Sequence, residues 1–538
     1  MKDNLMRRDV GAFALMLTGL GSIIGSGWLF GAWRAAQLAG PGSLWAWIFG
    51  AIIVTLIALS YAELGAMFPE AGGMVRFGNY SHGTLVGFVA GWANWIAIVS
   101  VIPVEAEASV QYMASWKWEW AKSLFTQANL SHSGELSTAG LAVSAVLVLV
   151  YFLVNFWSVK LFSRSNSVIT LFKLIVPLLT GLALIASGFH EENLSVGIHG
   201  AVNEGIDWAA VLMAVSTSGI LFSFNGFQSP INFAGEARNP GRSIPLAVLG
   251  SIGLATIIYL VLELAYLCAV PSDMLSKAGW HGINFSSPFA ELAMLFNLQW
   301  LAMLLYADAF ISPSGTGITY TATTARMIYG MERNGSLPKI FGYIHPRWGT
   351  PRPAMILNLV VSYLFLFCFR DWGTLAEVIS AATVISYLSG PISAATLRRT
   401  APDLYRPLRI KGLSLISAIA FVMATELLYW SGWPLTGHII SLMLVALPIY
   451  FYFESKKNWV GFSRQLYSAL WLIAYLPVIA LISYAGSDQF HGKNYIPYGI
   501  DLVTVAIVGI VFYFWATNTG LSAPDTSTET ESSAYLVQ

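Results

Sequence analysis

The sequence predicts an all-α membrane protein that crosses the bilayer many times. Of its 538 residues, 56% are hydrophobic and only 10% are charged, and the mean hydropathy is +0.64. Soluble domains carry about 25% charged residues, so this composition excludes an aqueous fold. Apolar stretches of about 20 residues recur along the chain between short polar connections. Two of these stretches are interrupted by glycine and serine, a pattern typical of discontinuous membrane helices.

Hydropathy identifies fourteen candidate spans. The last two have the weakest support as full crossings, so twelve to fourteen crossings are predicted. The spans cover residues 10–37, 43–67, 84–112, 138–157, 166–187, 207–235, 245–270, 289–323, 354–369, 374–396, 412–430, 435–453, 465–485 and 499–517.

Lys and Arg residues set the predicted orientation of these spans. With the N-terminus in the cytoplasm, most of the Lys and Arg residues of the connecting segments fall on the cytoplasmic side, as the positive-inside rule requires. Both termini are then cytoplasmic and the protein is a multi-pass protein of the inner (plasma) membrane. Span 1 runs outward and span 6 runs inward, so the two interrupted spans are antiparallel. Spans 1–5 and 6–10 are therefore candidate inverted repeats.

Several function classes are excluded or disfavoured by the motifs that the sequence lacks. The ATP-binding pattern G-x-x-x-x-G-K-[ST] does not occur, so uphill transport would depend on an ion gradient. H-E-x-x-H is absent as well, which disfavours an intramembrane enzyme. The connections are too short for the aqueous domain of a sensor, and no continuous polar stripe indicates a channel. Cys268 and Cys368 lie in apolar runs, and we expect no disulfide, cofactor, metal site or nucleic-acid partner.

The interruption in span 1 is rich in glycine and serine. A half-helix that begins there would present free N–H groups and its positive dipole end to a carboxylate. Ser22 and Ser26 add hydroxyl donors, and Gly25 and Gly27 let a ligand approach the backbone. The first half-helix ends near Ile23, where free carbonyls would suit an ammonium group. A helix-packing Gly-x-x-x-Gly motif is the alternative interpretation.

The interruption in span 6 complements the first one. It extends from Phe222 to Pro230 and offers further carbonyls at Phe222, Ser223 and Asn225. A zwitterionic α-amino acid needs both a carboxylate cradle and ammonium acceptors. A matched pair of broken helices therefore predicts the substrate site of an amino-acid transporter.

The same segments resemble the amino acid–polyamine–organocation (APC) superfamily. The resemblance covers about the first 400 residues and is closest to the bacterial aspartate:proton symporters, partly through the stretch Gly27–Trp33. The matching segments are Gly21–Gly27 with Ala39–Gly42 for the first helix, Phe222–Gln228 with Gly235–Pro240 for the sixth, and Arg326 with Gly335–Pro338 after the eighth.

This resemblance implies a LeuT-type fold of two inverted five-helix repeats, with discontinuous helices 1 and 6 and about four peripheral C-terminal helices. Residues 1–397 would form the transport core, with repeats at 10–187 and 207–396. Residues 398–517 would be the peripheral helices. The Ser-, Thr- and Glu-rich tail at 518–538 is predicted to be disordered and cytoplasmic.

Lys173 is a lysine inside a predicted span. In some proton-coupled relatives a lysine on helix five takes the place of a sodium ion, and Lys173 falls at the matching position. Burial disfavours the charged form of a lysine, so Lys173 would be able to gain and lose a proton against helix 1. A static lysine paired with carbonyls is the alternative.

Acidic residues within spans are functional candidates because a charge at membrane depth is costly. Glu105 and Glu107 lie two positions apart on one helix and point about 200° apart. Matching Asn94–Trp95 to the family's third helix favours Glu105 as the residue that faces the substrate and binds it or carries a proton. A protonated, hydrogen-bonded acid is the alternative. The acids within spans are Glu63, Glu105, Glu107, Glu263, Asp308, Glu377 and Glu426.

The remaining site predictions concern charges and gates. Arg34 and Asp308 are candidates for a gate or for a charge that reads the substrate side chain, and Arg34 has Glu105 and Glu107 as candidate partners. Gln228 is predicted to line the site where many relatives carry an acid, which would place any proton role elsewhere. Phe222 and Phe224 are candidate aromatic contacts of the substrate, with Phe222 as a gate.

Together these features predict a secondary transporter that works by alternating access. The favoured function is proton-coupled symport of an acidic amino acid, aspartate or glutamate. An exchanger of neutral or cationic amino acids or amines on the same fold is the alternative, and a non-transporting sensor or channel is a more distant one. The expected partners are the amino acid, protons and the lipid bilayer.

Overall fold

The computed structural model describes residues 10–69, 73–126, 134–157, 159–202, 204–346 and 348–521. Most of the tail that is predicted to be disordered, residues 522–538, lies outside these ranges. The described part of the chain is almost entirely helical, with one small two-stranded sheet.

The first predicted repeat begins with two short helices in place of one long span. Its elements are α1 Ala12–Ile23, α2 Gly27–Ala39, α3 Ser43–Met67, α4 Gly73–His82, α5 Thr84–Met113, α6 Glu119–Lys122, β1 Phe125–Thr126, β2 Glu135–Leu136, α7 Thr138–Trp157 and α8 Val159–Ser187. The two strands pair antiparallel, with Phe125 opposite Leu136.

The second predicted repeat also begins with a broken span. Its elements are α9 Trp208–Thr217, α10 Ile220–Phe224, α11 Ser229–Asn232, α12 Pro240–Ala269, α13 Ser272–Gly282, α14 Pro288–Leu295, α15 Gln299–Arg333, α16 Arg352–Cys368, α17 Trp372–Tyr387 and α18 Ser389–Thr400. The C-terminal helices are α19 Leu413–Trp430, α20 Leu435–Leu444, α21 Leu447–Lys456, α22 Phe462–Ala485 and α23 Ile500–Asn518.

The predicted all-α membrane fold with discontinuous helices 1 and 6 is confirmed. Within the described residues, ten helical segments are long and apolar enough to cross a membrane. Three shorter apolar helices are α1, α9 and α16, and two of these are the first parts of the broken spans. Each predicted span coincides with one helix, with two consecutive helices or, in span 6, with three.

Two spans differ in detail from their predicted form. Span 6 is interrupted twice, because an additional break precedes α10 at Gly219, whose φ is +89°. A Cβ at this glycine would lie 2.7 Å from the Trp372 ring, so the close packing requires glycine as well. Span 8 consists of two helices, α14 and α15. It is longer than the predicted 289–323, because α15 continues to Arg333.

The most buried helices position the site. The α5 helix packs against α15 and α17, while α12 packs against α1 and α3. Nearly all residues of α5 and of the α17–α18 pair are buried inside the protein, whereas α7, α8 and α23 expose much of their surface. The broken spans lie between these two groups of helices, since α1 contacts α12, α8 and α15, and α10 contacts α3 and α17.

Candidate functional site

The break in span 1 is a stretch of non-helical backbone between α1 and α2. Ile24 is extended, with φ −85° and ψ 91°, and its N–H closes the last turn of α1 by donating to Leu20 O at 2.9 Å. Ser26 caps α2 with no side-chain hydrogen bond to the helix. The first N–H groups of α2 therefore need partners from outside the helix.

The main break in span 6 lies between α10 and α11. Asn225 is extended, with φ −65° and ψ 125°, and Gly226 has φ +131°, which only glycine adopts without strain. A Cβ at Gly226 would lie 2.6 Å from the carbonyl carbon of Ser22, on the other broken span. The two breaks thus touch backbone to backbone.

Side chains join the two breaks as well. Ser229 Oγ donates to Ser22 Oγ at 2.8 Å. The Tyr259 hydroxyl, from α12, lies 2.8 Å from Ser223 O and 3.3 Å from Ile23 O, so one donor bridges the two spans. Gly27, at the start of α2, leaves no room for a larger residue, because a Cβ there would overlap Ser223 Oγ.

Glu105 places a carboxylate at the start of α2. Its Oε2 accepts a hydrogen bond from Ser26 N at 2.8 Å, and the side chain is completely buried. A Cβ at Gly25 would overlap Oε1 of Glu105. A carboxylate of the protein therefore occupies the position where the sequence predicts a carboxylate cradle.

Glu107 does not share this position. It is 1% exposed, and neither carboxylate oxygen has a hydrogen-bond partner among the described residues. Glu105, and not Glu107, is the acid of α5 that faces the break.

Lys173 holds the end of α1 from behind. Its Nζ, on α8, donates to Gly21 O at 2.9 Å and to Thr316 Oγ1 of α15 at 2.6 Å. Thr316 Oγ1 lies 3.4 Å from Ile24 O. Glu105 and Asp308 are close enough to act electrostatically on the lysine. The Gly21 carbonyl of the first half-helix therefore faces the Lys173 amino group, and the Ile24 carbonyl faces the Thr316 hydroxyl.

Asp308 lies on α15 two turns before Thr316 and is completely buried. Its Oδ1 accepts a hydrogen bond from Ser312 Oγ at 2.6 Å. Its Oδ2 and the indole Nε1 of Trp28 both lack partners in the part of the chain that the structure describes. Asp308 thus belongs to the electrostatic surroundings of Lys173 and has no contact with Arg34 among the hydrogen bonds and ion pairs described.

Arg34 pairs with a residue that the sequence analysis did not select. Its Nη2 lies 3.0 Å from both Oδ1 and Oδ2 of Asp371, rather than near Glu105 or Glu107. Asp371 also caps α17 by accepting from Thr374 N at 3.0 Å. The sequence contains one signal for this pair. Asp371 is an acid just before predicted span 10, and Arg34 is an arginine within predicted span 1.

Trp372 covers the break directly beneath this ion pair. Its Nε1 donates to Ser26 Oγ at 2.9 Å, and its ring packs edge-on against Phe222 with centroids 5.8 Å apart. Phe222 is 5% exposed. Its role as a gate stays a prediction. Among twenty tryptophans, nothing in the local sequence distinguishes Trp372.

The second break is held by neutral amides. Gln228 Oε1 accepts from Gly226 N at 3.0 Å and from the Tyr387 hydroxyl at 3.3 Å. Its Nε2 donates to Asn225 Oδ1 at 2.6 Å, and Asn225 Nδ2 donates to Thr383 Oγ1 at 3.4 Å. Gln228 thus organises the backbone of the break.

Phe224 has a packing environment, although it was predicted as a substrate contact. Its ring lies against Trp47 and Tyr259, with centroids 6.0 and 5.4 Å away, and is 1% exposed. These partners belong to α3 and α12, so Phe224 supports the break from the core side.

Two other acids of the spans have structural partners away from the breaks. Glu263 accepts hydrogen bonds from Ser43 Oγ and from Trp47 Nε1, the latter at 2.7 Å. Glu63 binds Arg398 through both oxygens, at 2.8 and 2.6 Å, and also accepts from Ile410 N. This second cluster ties α3 to α18 on the predicted cytoplasmic side.

The chain is similar to known amino-acid transporters over nearly its whole length. The family model described as amino acid permease matches residues 10–453. The chain is 58% identical to the glutamate/serine transporter AimA of Bacillus subtilis (strain 168), over 96% of this chain and 95% of the relative. It is 38% identical to the aspartate-proton symporter of the same organism, over 97% and 98%. It is 24% identical to the human b(0,+)-type amino acid transporter 1, over 88% and 87%.

Proposed function

Because the chain belongs to the amino acid permease family and is an amino-acid transporter rather than an enzyme, we propose that it carries acidic amino acids into the cell by proton symport. Glutamate and aspartate are the proposed substrates, since they appear in the names of the two bacterial relatives. The proposed site is the pair of breaks, alternately open to each side of the plasma membrane, with both termini in the cytoplasm.

One observation carries the proposal, and it is the hydrogen bond from Ser26 N to the Glu105 carboxylate. It supports the idea that the start of α2 binds a carboxylate. The α-carboxylate of a substrate would replace that of Glu105 there, with the amino group directed to the carbonyls of the breaks. Once displaced, Glu105 would remain buried without its N–H partner. A buried unpaired carboxylate is unstable, so it would take up a proton from the side on which the substrate entered.

Lys173 would supply the positive charge that balances the ionised Glu105 carboxylate. It is buried, it contacts Gly21 O, and it is electrostatically coupled to Glu105. With Glu105 ionised the pair is neutral, and with Glu105 protonated the site carries one positive charge. A substrate with net charge −1 restores neutrality in that second state. This charge balance favours acidic over neutral amino acids as the species that moves with a proton.

Arg34 would act at the entrance. Its guanidinium binds Asp371 in this closed arrangement. When the entrance opens, the freed guanidinium would attract an anionic side chain from the outer solution. Trp372 and Phe222 would close over the substrate after it reaches the break.

Glu105→Gln tests the proposal, with Glu107→Gln as the matched control two residues away on α5. In proteoliposomes with labelled glutamate, we expect Glu105→Gln to abolish accumulation driven by an inward proton gradient. It should retain exchange of external for internal glutamate, since glutamine is neutral like the protonated acid. Glu107→Gln should retain proton-driven accumulation.

Proton-driven accumulation that is unchanged in Glu105→Gln would remove Glu105 from the coupling. Wild-type protein that exchanges glutamate but never accumulates it under a proton gradient would show that the protein is an exchanger. A competition screen of the twenty amino acids, with and without the gradient, defines the substrate range.

A further inference from the structure

A separate polar pocket lies on the predicted cytoplasmic side. It forms where the end of α7, the last third of α15 and the start of α16 meet, and its cavity volume is about 30 Å³. The polar lining comes from Asn155, Arg326 and Thr350, and Met355 contributes an apolar wall. Arg326 belongs to a segment that marked the family resemblance, and the proposed transport mechanism does not use it.

The pocket carries positive charge without a matching carboxylate. Arg326 has no ion pair among the described residues, although Glu236 is close enough to act on it electrostatically. Arg352 adds a second guanidinium at the start of α16, next to the lining residue Pro351. Arg352 stacks on the Phe156 ring at 4.0 Å, and its Nη2 donates to Phe156 O at 3.5 Å. These contacts hold its position without a neutralising carboxylate. One arginine in the lining and a second next to a lining residue favour an anionic ligand.

Buried polar atoms at this pocket also lack partners. Thr350 is 6% exposed, and its Oγ1 has no hydrogen-bond partner within the described ranges. The same holds for Nε of Arg352. A buried hydroxyl without a partner is costly, so each such group requires an explanation. An acceptor-rich ligand in the pocket would satisfy Thr350 and Arg326 together.

An apolar surface leads away from the pocket along α16. Ile356, Val360, Leu364 and Phe367 lie on one face of that helix and are 51%, 60%, 60% and 54% exposed. The face begins in the first turn of α16, beside the lining residue Met355. A ligand with a phosphate at the pocket would therefore lay attached hydrocarbon chains along this face.

We propose that this pocket binds the phosphate of an anionic membrane phospholipid. Arg326 and Thr350 contact the phosphate, Arg352 supplies further positive charge, and the acyl chains lie on the exposed face of α16. Basic pockets between membrane helices on the cytoplasmic side are suited to anionic headgroups. The ligand bridges α7, α15 and α16, so its binding stabilises their contact.

Thermal unfolding of the purified full-length protein in neutral detergent tests this site, with no transported substrate present. Phosphatidylglycerol should raise Tm by about 3 °C or more in a saturable way, because a ligand that binds the native state stabilises it. Phosphatidylcholine with the same acyl chains, and inorganic phosphate alone, should raise it much less. Arg326→Gln and Thr350→Val should each lose most of the phosphatidylglycerol shift. The control Arg333→Gln, an exposed position further along α15, should keep it.

Equal shifts from phosphatidylcholine and phosphatidylglycerol would overturn the proposal, since the pocket would then contribute no charge recognition. A full shift from inorganic phosphate alone would show a site for the free anion and would also overturn the lipid assignment. An undiminished phosphatidylglycerol shift in Thr350→Val and Arg326→Gln would place the lipid elsewhere. If Arg326→Gln does not fold, the result for Thr350→Val decides.

Discussion

The two breaks are stabilised by different chemistry. The break in span 1 is held by ionisable groups from other helices, Glu105 of α5 and Lys173 of α8. The break in span 6 is held by neutral groups. These are chiefly Gln228 and Asn225, which belong to the break itself, and Tyr259 of α12. In both breaks, side chains bond backbone groups that the interrupted helix leaves free, as membrane depth favours.

This difference assigns different tasks to the two breaks. A proton that binds or leaves the first break changes the charge next to the substrate site. No such change is available to the amide groups of the second break over the physiological pH range. Proton coupling is therefore expected to reside in span 1 and its neighbours, and span 6 is expected to provide shape and hydrogen bonds.

The largest expected effect is that of Lys173→Ala. Removal of one partner from a buried, charge-coupled pair costs about 3–5 kcal/mol, so proton-driven uptake of glutamate should fall by about 100-fold or more. Uptake into proteoliposomes under an imposed pH gradient measures it. Lys277→Ala, at a lysine whose side chain is 78% exposed, is the control and should behave like wild type. Near-normal driven uptake in Lys173→Ala would contradict the proposed coupling.

Gln228→Ala should have a smaller effect of a different kind. It leaves Gly226 N and Asn225 Oδ1 without their partner, at a cost of about 1–3 kcal/mol, so apparent substrate affinity should fall by about tenfold. The pH dependence of uptake should keep its wild-type shape, because no titrating group is removed. Uptake measured against glutamate concentration at several pH values tests both points, with the exposed Gln299→Ala as control. A shifted pH profile would show that the second break takes part in coupling.

The smallest effects are expected at the ion pair between Arg34 and Asp371. Their side chains are 29% and 14% exposed, respectively. Partly exposed pairs contribute about 1 kcal/mol or less, so Asp371→Ala should change uptake of glutamate by a few-fold. Uptake of serine, tested because the name of one relative includes it, should change by the same factor. Arg34→Ala should reduce uptake of glutamate more than that of serine if the guanidinium also attracts the acidic side chain. If each variant loses glutamate uptake and serine uptake to the same extent, Arg34 acts only in closing the entrance. Initial rates for the two labelled substrates give the comparison.

The positions of the helices and of both breaks were predictable because they depend on local chemistry. A run of apolar residues of membrane length must form a helix, and the clusters around Gly25 and Gly226 weaken that helix where they occur. The antiparallel relation of the broken spans, inferred from the Lys and Arg of the connecting segments, stays a prediction. The additional break at Gly219 was not predicted, since it depends on the packing of the Trp372 ring from a distant helix.

Partners across the site were less predictable than the breaks themselves. Lys173 and Glu105 were identified as candidates because a charge in a membrane span is rare and costly. Asp371 and Trp372 were missed, because one lies at the end of a span and the other is an aromatic residue among many. Their contacts with Arg34 and Ser26 join residues more than 300 positions apart, and local sequence contains no information on such distances.

The sequence by itself determined that this protein is a many-times-spanning helical transporter with two broken helices, since hydropathy and backbone hydrogen bonding act locally. Only the tertiary structure decided which groups satisfy the exposed backbone of each break. It brings the Glu105 carboxylate to Ser26 N, Lys173 to Gly21 O and Asp371 to Arg34. Such pairings depend on how distant helices pack, because a buried polar group takes the partner that the fold brings within hydrogen-bond distance.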